Sequence, residues 1–404
     1  MFFFRKRLLV IILFLISLNL FSEDFFKIKE GIEKGSWKKV SFLYLTPKLL
    51  LRNIGYSNNI YLLERDSKPD WTADLGLQMI ISSIFLNRFI FQIDELPYYS
   101  YYAKNKDERS FNNVFGFNLY SYVGFLNLKY QFKKLYVKQR PTSEFGRRVR
   151  QNLINHTLSL DFGTHDSFFL NLYVKQNSVK YSDELYMEEY NLYNLLNHKE
   201  YSGGIGINKI IFSRTILCLN FDYFEQDFDY SKERNRIGKQ VSIGIKFPEI
   251  SSIRGSFQYG LRIYESSNPL FEDFTMSFGS GDISIGLFRR LKINFNYSID
   301  NIFSYWQINS TYNQKSIGTG IEYYLSRKLK LGYKYRTSKL SFTDSYVGIE
   351  IREDNFYTNS VYIGIKLFKK MGIGIEYLMY RGDSTESGFK RSYNFIGGYI
   401  IHEF

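Results

Sequence analysis

Cysteine, proline and long apolar runs are scarce in this sequence of 404 residues, which has 1 cysteine and 6 prolines. Because Cys218 stands alone, no intramolecular disulfide can form. The mean hydropathy of −0.27 is too polar for a protein built from several transmembrane helices. Beyond residue 38, apolar residues show no persistent helical period. The scarcities exclude a disulfide scaffold and a helical membrane protein.

Histidine is also rare, with 4 residues in the chain. His165, Asp166 and Ser167 stand next to one another, and adjacent residues cannot converge as the groups of a catalytic triad do. We predict a tight turn there instead. No cluster of histidine and cysteine has metal-ligand spacing. The sequence therefore predicts a non-enzyme without cofactor or metal, and the predicted export makes nucleic acid an improbable partner despite a net charge of +13.

What the sequence has in abundance is aromatic residues, which make up 19% of the chain. They lie in stretches where apolar and polar residues alternate. The stretch 282–298 shows two alternating arms around Arg289 and Arg290, and because successive strand side chains point to opposite faces, each arm has one apolar and one polar face. The pattern indicates a β-hairpin.

The hairpin recurs along the chain. Short turns are predicted near Leu86, Gly124, His165, Ile211, Ile250, Arg289, Arg327 and Lys369. Nine longer polar connections alternate with them, which implies about eighteen strands of roughly ten residues, with sixteen as the alternative. We predict an all-β, transmembrane, antiparallel up-and-down β-barrel with both termini periplasmic. A soluble β-sandwich is the competing interpretation, but its sheets would leave edges that a closed barrel removes.

The N-terminus predicts export. Arg5, Lys6 and Arg7 precede an apolar stretch, and Ser22 offers a small residue before an acidic pair. The predicted domains are a signal peptide at 1–22, a short periplasmic segment at 23–37 and the barrel at 38–404. A retained helical anchor is the alternative for the first segment. The periplasmic segment is expected to form a short helix that is too small to fill the lumen, while loop 178–200 is the best candidate to fold inward.

The first 150 residues resemble the β-barrel porin type-two family of outer-membrane proteins. The motif residues that carry the resemblance are Thr46, Pro47, Tyr56, Asn59, Asp70 and Trp71, together with a basic connection at 140–150. The resemblance implies an outer-membrane pore, with relatives linked to exported polysaccharide. In many members an aspartate follows the loop tyrosine, where this chain has Ser57, and this weakens any ion-binding role for that loop. We expect the basic connection to be a solvated outer loop, with lipopolysaccharide or exported polysaccharide as alternative partners.

The polar faces of the strands predict the pore lining: Arg254, Arg262, Lys292, Lys330, Lys334, Lys366, Glu322 and Glu376, with Asp161, Asp222 and Asp282 also inward. This mixture leans basic and favours anionic solutes. The leading hypothesis is a passive, porin-like channel for small anionic or saccharide solutes. The alternatives are a non-conducting structural or adhesive barrel that acts through its outer loops, and a structure in which these charges only pair across strands.

The C-terminal stretch is unusually apolar. Ile396, Ile400 and Phe404 share one strand face and are predicted to form the signal read by the barrel-assembly machinery, although His402 replaces a bulky apolar residue. The remaining expected partner is outer-membrane lipid. The sequence does not determine an oligomeric state.

Overall fold

The computed structural model describes a chain that is almost entirely β-strand. The described residues are 23–64, 66–141, 148–164, 168–182, 186–187, 190–212, 215–247, 252–266, 273–288, 290–304, 310–344, 350–368, 370–386 and 390–404. The predicted signal peptide, the stretch 165–167, and the turn residues Ile250, Arg289 and Lys369 lie outside them.

Eighteen long strands follow one another within the described residues. They are β1 Leu43–Ser57, β2 Asp70–Phe85, β3 Phe89–Tyr102, β4 Ser110–Val123, β5 Leu126–Gln139, β6 Val149–Thr164, β7 Phe168–Tyr181, β8 His198–Ile210, β9 Ile216–Phe228, β10 Arg236–Phe247, β11 Ile253–Ser266, β12 Phe274–Leu287, β13 Leu291–Phe303, β14 Ser310–Tyr324, β15 Leu329–Asp344, β16 Glu350–Phe368, β17 Met371–Ser384 and β18 Arg391–Glu403.

Each strand pairs antiparallel with the next, and β18 pairs with β1 from Lys48↔Glu403 to Ser57↔Phe395. The sheet therefore closes on itself as an up-and-down β-barrel, as the alternating pattern predicts. Closure pairs the backbone groups that would otherwise form two open edges. The number of strands agrees with the prediction of about eighteen and not with the alternative of sixteen.

The strand bounds leave two to five residues for each connection at one end of the barrel, the turn end, and five to sixteen at the other, the loop end. The predicted long loops are wrong in extent, because several predicted loop stretches belong to strands. For example, the stretch 298–313 is one of these predicted loops, but its residues 298–303 and 310–313 pair with neighbouring strands. Polar residues on both faces hide a strand from an alternation test, whereas the backbone ladder continues regardless of side-chain polarity.

The outward face of the barrel is apolar in its middle. Ile205, Phe221 and Val241 stand side by side across β8 to β10, and their side chains are 48%, 48% and 39% exposed. The next row, Gly204, Asp222 and Gln240, points inward and is polar. The alternation read from the sequence thus separates an apolar exterior from a polar lumen.

Aromatic rings on the lumen side lie over glycines of neighbouring strands. Phe224 covers Gly238, and Tyr362 covers Gly332, so closely that a Cβ at either glycine would collide with the ring. A glycine in a strand often marks such a close approach. These two rings therefore lie against the wall of the lumen and do not project across it.

In the described part of the chain, two short α-helices flank the sheet. Helix α1, Glu23–Gly35, precedes the barrel, and α2, Leu192–Leu196, lies in the longest loop-end connection. Leu192, Leu195 and Leu196 pack on Val149 and Tyr181, so part of the loop expected to fold inward does cover strands β6 and β7. No helix in the described part of the chain is long and apolar enough to cross a membrane.

The seam between β1 and β18 has an additional component. A three-residue strand, Lys38–Val40, pairs with β1 at Leu43 to Leu45, beyond the point where β18 ends. Phe404 N donates to Pro47 O at 3.2 Å, which continues the ladder by one bond. The predicted barrel boundary at residue 38 therefore coincides with this short strand, and the barrel proper starts at Leu43.

Candidate functional site

The lumen holds a cavity of about 1870 Å³ in the half of the barrel nearer the turn end. Two neighbouring rows of the sheet cross it. One row runs from Arg254 through Ser284 and Asn294 to Lys334. The other runs from Lys246 through Ser256, Asp282 and Asn296 to Arg336, again with cations at both ends.

Basic side chains outnumber acidic ones along the described lining of this cavity. Seven are basic: Lys27, Lys129, Lys246, Arg254, Lys292, Lys334 and Arg336. Asp161 and Asp282 are the acidic ones, and each accepts a hydrogen bond from an asparagine amide, at 2.6 and 2.8 Å. A concave wall with this excess attracts small anions and raises their local concentration.

Three of the predicted pore residues, Arg254, Lys292 and Lys334, lie on the cavity lining. Lys129, Lys246 and Arg336 were not singled out from the sequence. The signal for Arg336 was available, because it follows Lys334 at a spacing of two on β15, where alternation keeps the face constant. Lys27 could not be found in this way because it belongs to helix α1.

Arg262 lies nearer the loop end and belongs to a hydrogen-bonded chain across the wall. Its Nε donates to Gln240 Oε1 at 2.8 Å, and its Nη1 donates to Asp300 Oδ1 and Tyr264 Oη, both at 2.8 Å. Gln240 in turn donates to Asp222 at 2.7 Å, and Asp222 accepts from Tyr173. These hydrogen bonds connect β7, β9, β10, β11 and β13, so Arg262 stabilises the wall of the barrel.

The other four predicted pore residues lie outside the cavity lining. Glu322 accepts from Tyr324 at 3.0 Å and from Tyr362, and Lys330 Nζ is 3.9 Å from its carboxylate. Lys366 and Glu376 lie opposite Gly372 and Tyr362 respectively in the register of β16 and β17. The alternative that these charges pair across neighbouring strands holds for Lys330 and Glu322.

Within the basic connection at 140–150, Arg140 and Arg148 are partly buried, so the expectation of a solvated loop does not hold for these two residues. Arg148 lies over the ring of Tyr102 at 5.0 Å, and Arg140 Nη2 donates to Ile60 O at 2.7 Å. Burial lowers the pKa of both guanidinium groups, and like charge on Arg391 adds to this for Arg140. A guanidinium plane stacks well on an aromatic ring, which favours the position of Arg148 over Tyr102.

Asn59 and Asp70, two of the motif residues that carried the family resemblance, hold parts of the loop end together. Asn59 donates to Leu63 O and Ser392 O at 2.8 and 3.0 Å, which ties the first loop to β18. Asp70 accepts from the backbone N–H groups of Lys104 and Asn105 at 2.9 and 2.8 Å. Trp71 is outward and its ring lies 5.6 Å from that of Tyr56, while Thr46 and Pro47 lie within β1. These contacts are structural.

Among the described residues, no group of three or more His, Cys, Asp or Glu side chains could hold a metal ion. The functional features of the lumen are its charge, its amides and its aromatic rings. Together the closed sheet and polar lumen define the fold class found in porins.

The comparisons with known proteins agree on fold. No family model and no curated protein matches the chain. Among solved structures, OccK2 (OpdF) from Pseudomonas aeruginosa is similar with a TM-score of 0.52 and 12% identity over 89% of this chain and 97% of that one. OpdK from the same organism, solved with vanillate, gives 0.50 and 10% over 89% and 98%.

A second OccK2 structure, in complex with glucuronate, gives a TM-score of 0.51 and 11% identity over 90% of this chain and 98% of that one. At such low identity these likenesses concern the architecture. This chain therefore has the closed antiparallel barrel of those outer-membrane proteins, and its activity has to be argued from its own lumen.

Proposed function

We propose that the chain is an outer-membrane channel through which small anionic solutes diffuse. The observation that carries the proposal is the cavity lining, with seven basic and two acidic side chains among the described residues. Selectivity would arise because an anion gains favourable interaction along this wall, whereas a cation is repelled. No bond is made or broken in this process, so the protein would act by passage and not by catalysis.

The outward surface supports placement in a membrane. Its middle belt is apolar, and phenylalanines stand exposed at the turn end, among them Phe85, Phe125, Phe212, Phe288 and Phe368. Outer-membrane barrels carry aromatic girdles at both membrane interfaces, with short turns in the periplasm. We therefore place the turn end in the periplasm and the loop end outside the cell, after export guided by residues 1–22.

The chemical class of the solute follows from charge and from size. Asparagine and serine side chains between the cations of the two rows offer hydrogen bonds to hydroxyl groups, as in Asn294, Asn296 and Ser284. An acidic saccharide or another small organic acid combines both features. The similar structures solved with glucuronate and vanillate contain ligands of this class. A link with polysaccharide export or with lipopolysaccharide remains part of the hypothesis.

A non-conducting barrel is the second candidate, because α2 and the arginines at 140 and 148 reduce the opening at the loop end. Planar-bilayer recordings of the refolded chain separate the two candidates. We expect single-channel conductance with a reversal potential in a KCl gradient that indicates preference for chloride. If heat-modifiable migration on a gel shows that the barrel is folded, but the bilayer records no conductance, the channel is contradicted and the second candidate is favoured.

A further inference from the structure

Helix α1 packs against the inner wall at the turn end. Phe25 is 5% exposed and contacts Ile90 and Tyr122, with the ring centroids of Phe25 and Tyr122 6.3 Å apart. Ile28 and Ile32 pack against the same cluster. Positions 25, 28 and 32 share one face of a helix. The face of α1 that bears Phe25, Ile28 and Ile32 is thus turned towards the barrel.

The wall that receives α1 belongs to the lumen. Ile84, Ile90 and Tyr120 stand in one row across β2 to β4, and Tyr120 pairs with Lys129, a residue of the cavity lining. Apolar side chains on the aqueous side of a channel are unfavourable unless something removes them from water. Helix α1 does so for the row Ile84, Ile90 and Tyr120, which accounts for this apolar patch on the lumen wall.

The helix also forms part of the boundary of the cavity. Phe25, Lys27 and Ile28 contribute to the lining, so the space available to a solute ends at α1 on this side. The opposite face of the helix bears the ion pair Lys34–Glu30, while Lys29 and Glu33 pair along its flank. An amphipathic helix of this kind separates the cavity from the turn-end opening.

The attachment of α1 leaves the barrel independent of it. Trp37 N donates to Leu45 O at 2.8 Å, and the short strand that follows pairs with β1. Lys29 Nζ donates to Asn87 Oδ1 at 2.9 Å, from the helix to the β2–β3 turn. Displacing α1 would break its side-chain contacts with the wall, including this bond and the apolar contacts, but no ladder bond of the eighteen described strands. The helix can therefore move about residues 36 and 37 while the barrel stays closed.

We propose that α1 is a displaceable plug that narrows the turn-end opening and admits solute when it swings out of the lumen. The inference rests on the proposed channel and adds the element that gates it. It goes beyond the expectation for 23–37 from the sequence, which gave the helix no part in closing the lumen.

The test compares three forms of the chain in planar bilayers. Removal of residues 23–35 should raise the single-channel conductance about twofold, because the constriction at this opening is lost. In a Cys218→Ala background, Lys29→Cys with Asn87→Cys, joined by a short reducible thiol crosslinker, should hold conductance low until the linker is reduced. Lys29→Cys alone, treated in the same way, is the control for the reagent.

A point variant tests the plug even if the shortened chain does not fold. Phe25→Asp should raise the conductance or open probability, whereas Glu33→Gln on the polar face should leave both unchanged. If the intact, shortened and crosslinked forms conduct equally, α1 is no plug and the channel itself stands. If no form conducts although all are folded, the channel proposal fails and the plug with it.

Discussion

The cavity and the loop-end wall of the same lumen use charge in different ways. In the cavity, Arg254, Lys292 and Lys334 border a space large enough for a solute. Nearer the loop end, Arg262 donates at 2.8 Å to a carboxylate on β13, to an amide on β10 and to a phenol on its own strand. Charge that borders open space can act on a passing ion, whereas charge consumed in hydrogen bonds maintains the wall. Selectivity and stability should therefore separate by region.

The strongest test of this comparison reverses charge in the cavity. Replacing Lys292 and Lys334 by glutamate should move the permeability ratio towards cations by about tenfold, because two basic groups on the lining become acidic. Reversal potentials in a KCl gradient give the ratio. Lys239→Gln is the matched control, since Lys239 stands on the outward face in an ion pair with Glu265 at 2.6 Å. An unchanged ratio would mean that the cavity does not govern permeation.

The converse test removes Arg262. Arg262→Met should lower the free energy of unfolding by about 2 kcal/mol, because hydrogen bonds to a charged group are lost and Asp300 and Gln240 must find other partners. Urea titration followed by tryptophan fluorescence measures the change. The permeability ratio should shift far less than in the double lysine variant. A large shift in selectivity with unchanged stability would reverse the assignment of the two regions.

Deleting Phe404 should leave both regions untouched and reduce the yield of folded protein several-fold. Its backbone N–H bonds to Pro47 at the seam, away from the cavity lining. Quantifying heat-modifiable barrel in isolated outer membranes gives the yield, and single-channel conductance of the surviving fraction should match that of the intact chain. Altered conductance would show that the seam and the lumen are coupled.

The smallest expected effect is one of pH at the loop end. Burial raises the pKa of Glu108 despite Lys138 at 3.6 Å, so the ionised carboxylate costs stability in the folded state. The contribution of a group with a raised pKa is present at low pH and is lost as the pH rises through that pKa. Glu108→Gln should therefore match the intact chain in acid and exceed it at neutral pH by less than about 1 kcal/mol. Urea midpoints at both pH values test this.

The alternating pattern was sufficient to predict the closed barrel and the inward side of most strands. Leu291, Ile293 and Phe295 alternate with Lys292 and Asn294, and this period of two carries the face assignment directly. It also placed Arg254, Lys292 and Lys334 on the cavity side. Strand ends were predicted less well, because near the loop end both faces are polar and the period vanishes.

Other features depend on distances in space that a linear pattern does not contain. Whether Arg262 borders open space or is hydrogen-bonded to Asp300, 38 positions later, depends on how β11 and β13 are staggered against β12, the strand between them. Likewise, Arg148 lies over the ring of Tyr102 on β3, whereas its own sequence context is that of a solvated basic stretch. The packing of α1 needed knowledge of the apolar row that it covers.

The pairing of β18 with β1 makes the barrel a ring, and a ring has no intrinsic first strand. Residues 38 and 404 both lie along the Leu43–Ser57 strand, at one end of the molecule. A circular permutant that joins these positions and opens the chain between Gly124 and Phe125 would retain the eighteen strand pairings described here. In such a permutant, the order in which the ribosome makes the strands would change while their order around the ring would not.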